Sequence, residues 1–100
     1  MMQIQHKEEN GKGIFFGEEN GDKIGELVYT IPSAGKIIIE HTEVDDSLTG
    51  KGLGTQLVEA AVNHARTNNI KIIPQCSFAK SIIGLKPEWH DILAKPMNLK

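Results

Sequence analysis

The chain has 100 residues, of which 39% are apolar and 24% charged, and these proportions bound it to one globular domain with one core. Its net charge of -2 gives no reason to expect nucleic acid or an anionic membrane as a partner. Cys76 is the only cysteine, which excludes an intramolecular disulfide and suits a reducing compartment.

Met1 to Asn10 is polar and carries no signal-peptide core. No apolar run approaches the roughly 20 residues that span a bilayer, so a cytoplasmic location is expected. Ile4 to Glu8 is the first strand candidate, and Asn10-Gly11 is a turn signal. Gly13 to Glu18, centred on Ile14-Phe15-Phe16, reads as a second strand. Asn20-Gly21-Asp22 is a hairpin turn, because Asn and Gly tolerate positive φ. Lys23 to Ile31 follows as a third strand, and Pro32-Ser33-Ala34-Gly35 turns the chain again. Lys36 to Val44 is the fourth strand, and its Ile37-Ile38-Ile39 run, apolar on both faces, marks it as central.

Leu57, Val58, Ala61, Val62 and Ala65 recur at helical spacing, which predicts a helix from about Leu53 to Thr67 that ends at Asn68-Asn69. Ile70 to Gln75 is a fifth strand. A short helix is expected from Phe78 to Ile83, stopping at Gly84, and Pro87 to Asp91 opens a final helical turn. From Pro96 on the chain reads as a tail. The predicted class is α+β: four antiparallel strands joined as hairpins, then one crossover that makes the fourth and fifth strands parallel.

Between the fourth strand and the long helix stands Thr49-Gly50-Lys51-Gly52-Leu53-Gly54-Thr55. Glycines let backbone approach a ligand, and a helix N-terminus offers unpaired N–H groups and positive dipole, so the pair makes an anion site. The pattern fits neither nucleotide motif. A P-loop needs Ser or Thr where Gly52 stands, and a dinucleotide fingerprint needs glycine where Thr55 stands. A plain glycine-rich turn into a helix is the bland alternative.

The arrangement resembles the GNAT acyltransferase superfamily over about Gly13 to Gly84. That family's signature, Arg or Gln, two residues, Gly, any residue, then Gly or Ala, places its glycines at Gly52 and Gly54. Thr49 departs from it, standing where Arg or Gln is the rule, and Lys51 is the available positive charge. The resemblance implies one GNAT-like domain over residues 1–100, with the fourth and fifth strands splayed and acetyl-CoA or coenzyme A between them. It implies that backbone amides of Gly50, Lys51, Gly52, Leu53, Gly54 and Thr55 grip the pyrophosphate. It further implies that Thr42 and Val44 bond the pantetheine arm. On this resemblance the N-terminal helices that hold the acceptor in larger members are expected to be missing.

Cys76 follows Pro74-Gln75 at the end of the fifth strand, just before a helix. A thiol at a helix N-terminus can become a nucleophile; a lone cysteine can equally be buried and inert. In small GNAT-like members a Pro-x-Cys-x-Phe segment resembles Pro74 to Phe78, which puts Cys76 beside the thioester with Ser77 and Phe78 against the cofactor. His41 is the expected catalytic partner, as a base near the same gap, with a structural histidine as the alternative. Glu40 and Glu43 are lesser candidates, and His64 reads as a surface residue. Phe78, Trp89 and Leu93 also read as residues that close the core. Larger members protonate the departing thiolate with a tyrosine after the fifth strand. Here the only tyrosine is Tyr29, on the third strand.

The expected function is N-acetyl transfer from acetyl-CoA to an amine of a small molecule or protein, or else coenzyme A binding with little catalysis. No metal, nucleic acid or membrane partner is expected, and the chain is read as a monomer or weak dimer.

Overall fold

Two Asn-Gly pairs set the topology of the first half. Asn10 and Gly11 have φ of 53° and 78°, and Asn20 and Gly21 have 54° and 84°. Positive φ at both central residues is the condition for a two-residue hairpin whose twist matches its strands. In the computed structural model, which describes residues 2–45 and 52–94, these turns join β1 (Gln3–Glu9), β2 (Lys12–Glu19) and β3 (Asp22–Ser33). A third turn at Ala34-Gly35 leads into β4 (Lys36–Val44). Helix α1 (Leu53–Thr67) crosses over to β5 (Lys71–Pro74), followed by α2 (Ser77–Gly84) and a 3-10 helix (Pro87–Ile92).

The five strands lie in the order of the sequence, antiparallel from β1 to β4 and parallel between β4 and β5. The predicted α+β mixed sheet is therefore the observed one. The fifth strand is shorter than expected, because Ile70 N–H donates to the Ala65 carbonyl and still belongs to the helix terminus.

One apolar face does most of the holding. Phe15, Leu27, Tyr29, Ile37, Ile39 and Ile72 of the sheet meet Leu57, Val58, Ala61, Val62 and Ala65 of α1, and Ala79 and Ile83 of α2 join them. Each fully buried Val, Leu or Ile contributes about 1.5–3 kcal/mol, so this layer fixes the position of both helices. Trp89, Ile92 and Leu93 close its lower end, and Arg66 of α1 clamps the 3-10 helix through a two-point pair with Asp91 (3.2 and 2.6 Å). Leu93 also bridges to Ile72. Among the described residues no helix is long and apolar enough to cross a membrane.

Candidate functional site

The pairing of β4 with β5 runs from Lys36↔Lys71 to Ile39↔Pro74 and goes no further. At that point the amides of Gln75 and Cys76 both donate to the Ile39 carbonyl, at 3.0 and 2.9 Å. The double bond ends the ladder and turns the chain into α2. β4 continues to Val44 paired with β3 but no longer with β5, so a wedge opens between β4 and β5 beyond Ile39.

A β-bulge decides what faces this wedge. Tyr29 pairs with Ile39 and Val28 pairs with His41, so Glu40 is the extra residue in β4. Side chains alternate along a strand, and an inserted residue reverses the alternation beyond it. Ile39 points into the core; after the bulge Thr42, opposite buried Leu27, points to that same helix face. His41, opposite Val28, points to the other face. There it stands exposed near Glu26 and Glu43, with Nε2 3.8 Å from the Glu43 carboxylate. The expected approach of His41 to Cys76 therefore does not occur. The residue that meets Cys76 is Thr42, with Sγ 3.6 Å from Oγ1. No sequence signal marks Glu40 as a bulge.

Cys76 is the N-cap of α2 and half-buried. Burial pushes its thiol up, but this is outweighed by hydrogen bonding to the sulfur from the Ala79 backbone, the Thr42 side chain and the Phe78 backbone, and the thiol lies below its ordinary value. The first-turn amides of a helix carry positive partial charge, which favours a thiolate. Ser77, the first residue of α2, is exposed.

Across the wedge, α1 starts at Gly52, whose φ of 76° lies in the left-handed region where glycine is at home. Among the described residues no side chain caps this end, and its first turn holds no acidic residue. The opening amides, at Leu53, Gly54 and Thr55, are thus the kind of end at which anions bind. Gly50 and Lys51 lie outside the described residues. A Cβ on Gly54 would fall 2.7 Å from the Phe78 ring, so this glycine lets Phe78 pack against the first turn of α1. Phe78 remains 40% exposed and does not close the core, unlike Trp89 and Leu93. Val44 pairs with Gly25 and lines a cavity of about 350 Å³ with Lys23, Ile24, Glu26, Glu43 and Asp45.

The expectation for His64 is corrected as well. It is half-buried, its ring lies 4.6 Å from that of His6, and its Nε2 is shielded from solvent. Tyr29 is committed elsewhere: its hydroxyl donates to Glu8 (3.0 Å) and lies 2.6 Å from His6 Nε2.

Residues 14–92 match the family described as GCN5-related N-acetyltransferase. A GCN5-like protein from Staphylococcus aureus is 33% identical, with 95% of this chain and 91% of that one covered and a TM-score of 0.71. The ribosomal-protein-S18-alanine N-acetyltransferase from Escherichia coli shares the fold at 13% identity and a TM-score of 0.68, over 80% of this chain and 54% of that one. A GNAT family acetyltransferase from Elizabethkingia anophelis, with acetyl-CoA bound, shares it at 18% identity and a TM-score of 0.62, over 76% and 52%. The chain spans about half the length of these last two.

Proposed function

Because the chain belongs to the GCN5-related N-acetyltransferase family, we propose that it binds acetyl-CoA and transfers the acetyl group to an amine. The observation that carries this reading is the wedge beyond Ile39 and Pro74, with the Cys76 sulfur and the Thr42 hydroxyl on its helix side. The acetyl-CoA in the E. anophelis structure supports the choice of ligand. In this reading the amides of Gly50 to Thr55 hold the pyrophosphate, the backbone of Thr42 and Val44 bonds the pantetheine arm, and Ser77 and Phe78 flank the thioester end. A reducing cytoplasm suits a functional free thiol.

The amine nitrogen attacks the thioester carbonyl carbon, the C–S bond breaks, and the coenzyme A sulfur leaves with a proton. His41 on the open face, or a water there, accepts the amine proton, while Cys76 serves the departing sulfur from the helix face. In the covalent variant the Cys76 thiolate attacks the thioester carbonyl carbon and the coenzyme A thiolate leaves; the amine then attacks acetyl-Cys76, the C–S bond to Cys76 breaks, and His41 or a water takes the amine proton. The position of Cys76 at the N-terminus of α2, where the thiol is lowered, supports this variant. A second reading, coenzyme A binding with little turnover, is favoured by Tyr29, which is bonded to Glu8 and His6 and does not serve as the usual acid.

Calorimetry with acetyl-CoA tests the common ground: saturable binding is expected, and none overturns both readings. Turnover over a panel of small amines and peptide N-termini separates transfer from binding. Mass spectrometry after incubation with acetyl-CoA tests the covalent variant. It requires an adduct of about 42 Da, one acetyl group, that is absent from Cys76→Ala.

A further inference from the structure

On the helix face of the sheet, away from the wedge, three metal-ligating side chains converge from distant parts of the chain. His6 and Glu8 stand two apart on β1, so both face α1, and His64 comes down from α1 to meet them. One ligand atom from each lies within 4.8 Å of the others. We propose that His6, Glu8 and His64 form a binding site for a divalent transition metal of the zinc class, which clips edge strand β1 to α1. The proposal is independent of the acetyl-transfer reading.

Two observations besides proximity point to a ligand. His64 Nε2 is shielded from solvent and has no hydrogen-bond partner among the described residues. A buried nitrogen left unsatisfied is destabilising, and a metal ion on its lone pair removes that penalty. The surroundings are also organised as the outer layer of a metal site. The Tyr29 hydroxyl donates to Glu8 and touches His6 Nε2, and the His6 ring lies flat on Phe15, 4.1 Å between centroids and 4° between planes. Groups that orient the ligands in this way tune the affinity of metal centres.

The donor set selects the ion. Two imidazoles and one carboxylate suit zinc, nickel or copper, whereas magnesium and calcium want oxygen ligands alone. Zinc bonds to His and Glu run about 2.0–2.2 Å, so the three side chains draw together by an ångström or so on binding. His6 and Glu8 are exposed on a strand paired on one side only, and they have the freedom to do so. Asn68 Nδ2 now lies 3.3 Å from His64 Nδ1. The same Nδ2 donates to the His64 carbonyl at 2.9 Å; ligation at Nε2 leaves the ring proton on Nδ1, so the exposed Asn68 side chain moves aside and water accepts that proton. Water completes the coordination.

The test uses the full chain stripped of metal and titrated with zinc, followed by calorimetry and thermal denaturation. One ion per chain and a rise in Tm are expected, with no response to magnesium. His6→Gln and His64→Gln should each weaken binding about tenfold or more and abolish the rise in Tm. His41→Gln removes the only histidine of the second group, Glu26, His41 and Glu43, and should leave zinc binding unchanged. Cobalt should give visible d–d absorption without the near-ultraviolet sulfur band that a Cys76 ligand produces. Should either variant fail to fold, the histidine side-chain nitrogen spectrum of the wild type replaces it, and zinc must move the resonance of His64 Nε2. Absent zinc binding, binding untouched by both variants, or binding lost in His41→Gln overturns the proposal.

Discussion

The sulfur of Cys76 and the hydroxyl of Thr42 lie 3.6 Å apart although 34 residues separate them in sequence. The contact exists because β4 and β5 are neighbours and because the bulge at Glu40 turns Thr42, not His41, toward the helix face. Thr42→Val keeps the shape and removes the hydroxyl. The thiol should then titrate higher, and alkylation by iodoacetamide at neutral pH should slow about two- to tenfold. The pH profile of the alkylation rate measures it, and an unmoved inflection refutes the role given to Thr42.

Tyr29 reaches Glu8 and His6 only because residue 13 is glycine. A Cβ there would lie 2.0 Å from Tyr29 Cζ and 2.3 Å from its hydroxyl oxygen. Since Tyr29 is fully buried, its ring cannot swing into solvent. Gly13→Ala should cost about 1–3 kcal/mol by overpacking. In a Tyr29→Leu background the same change should cost much less, as a double-mutant cycle in urea will reveal.

Gly52 opens α1 at φ 76°. Gly52→Ala forces a Cβ into the left-handed region and should destabilise the fold by about 1 kcal/mol. Gly11→Ala, in the first hairpin turn at φ 78°, is the control. Equal losses of stability with acetyl-CoA affinity reduced only in Gly52→Ala would tie the helix start to ligand binding.

His6 makes stability depend on pH. Burial, and then the neighbouring charge of His64, hold its imidazole below the ordinary 6.5, with Glu8 pulling weakly the other way. The unfolded chain therefore takes up a proton at a higher pH than the folded one. Stability is fully present above pH 6.5 and is lost as pH falls toward the folded value. Thermal melts of the metal-free chain from about pH 8 to pH 5, spanning histidine titration, should show Tm falling below 6.5 in the wild type and a flatter curve in His6→Gln. Identical curves would remove His6 as the cause.

The turns, the strand order and the long helix could be read directly from the sequence. Asn10-Gly11 and Asn20-Gly21 demand their backbone geometry locally, and the five apolar positions of α1 repeat at the helical period. The glycines at 52 and 54 and the cysteine after the fifth strand marked the neighbourhood of the proposed site for the same reason. Each is a local requirement, of φ, of periodicity or of position at a strand end.

The orientation of the site residues was not written locally. One inserted residue, Glu40, sends His41 to the face opposite Cys76, and an insertion is visible only as a mismatch with the partner strand β3. His64 reads as a surface residue on its helix and becomes half-buried because β1, far away in sequence, lays His6 beneath it. Local pattern was enough to say which elements form and at which end of the sheet the glycines and Cys76 gather. Only the tertiary structure decided which side chains meet, because register and facing depend on pairing between strands that the local pattern does not record.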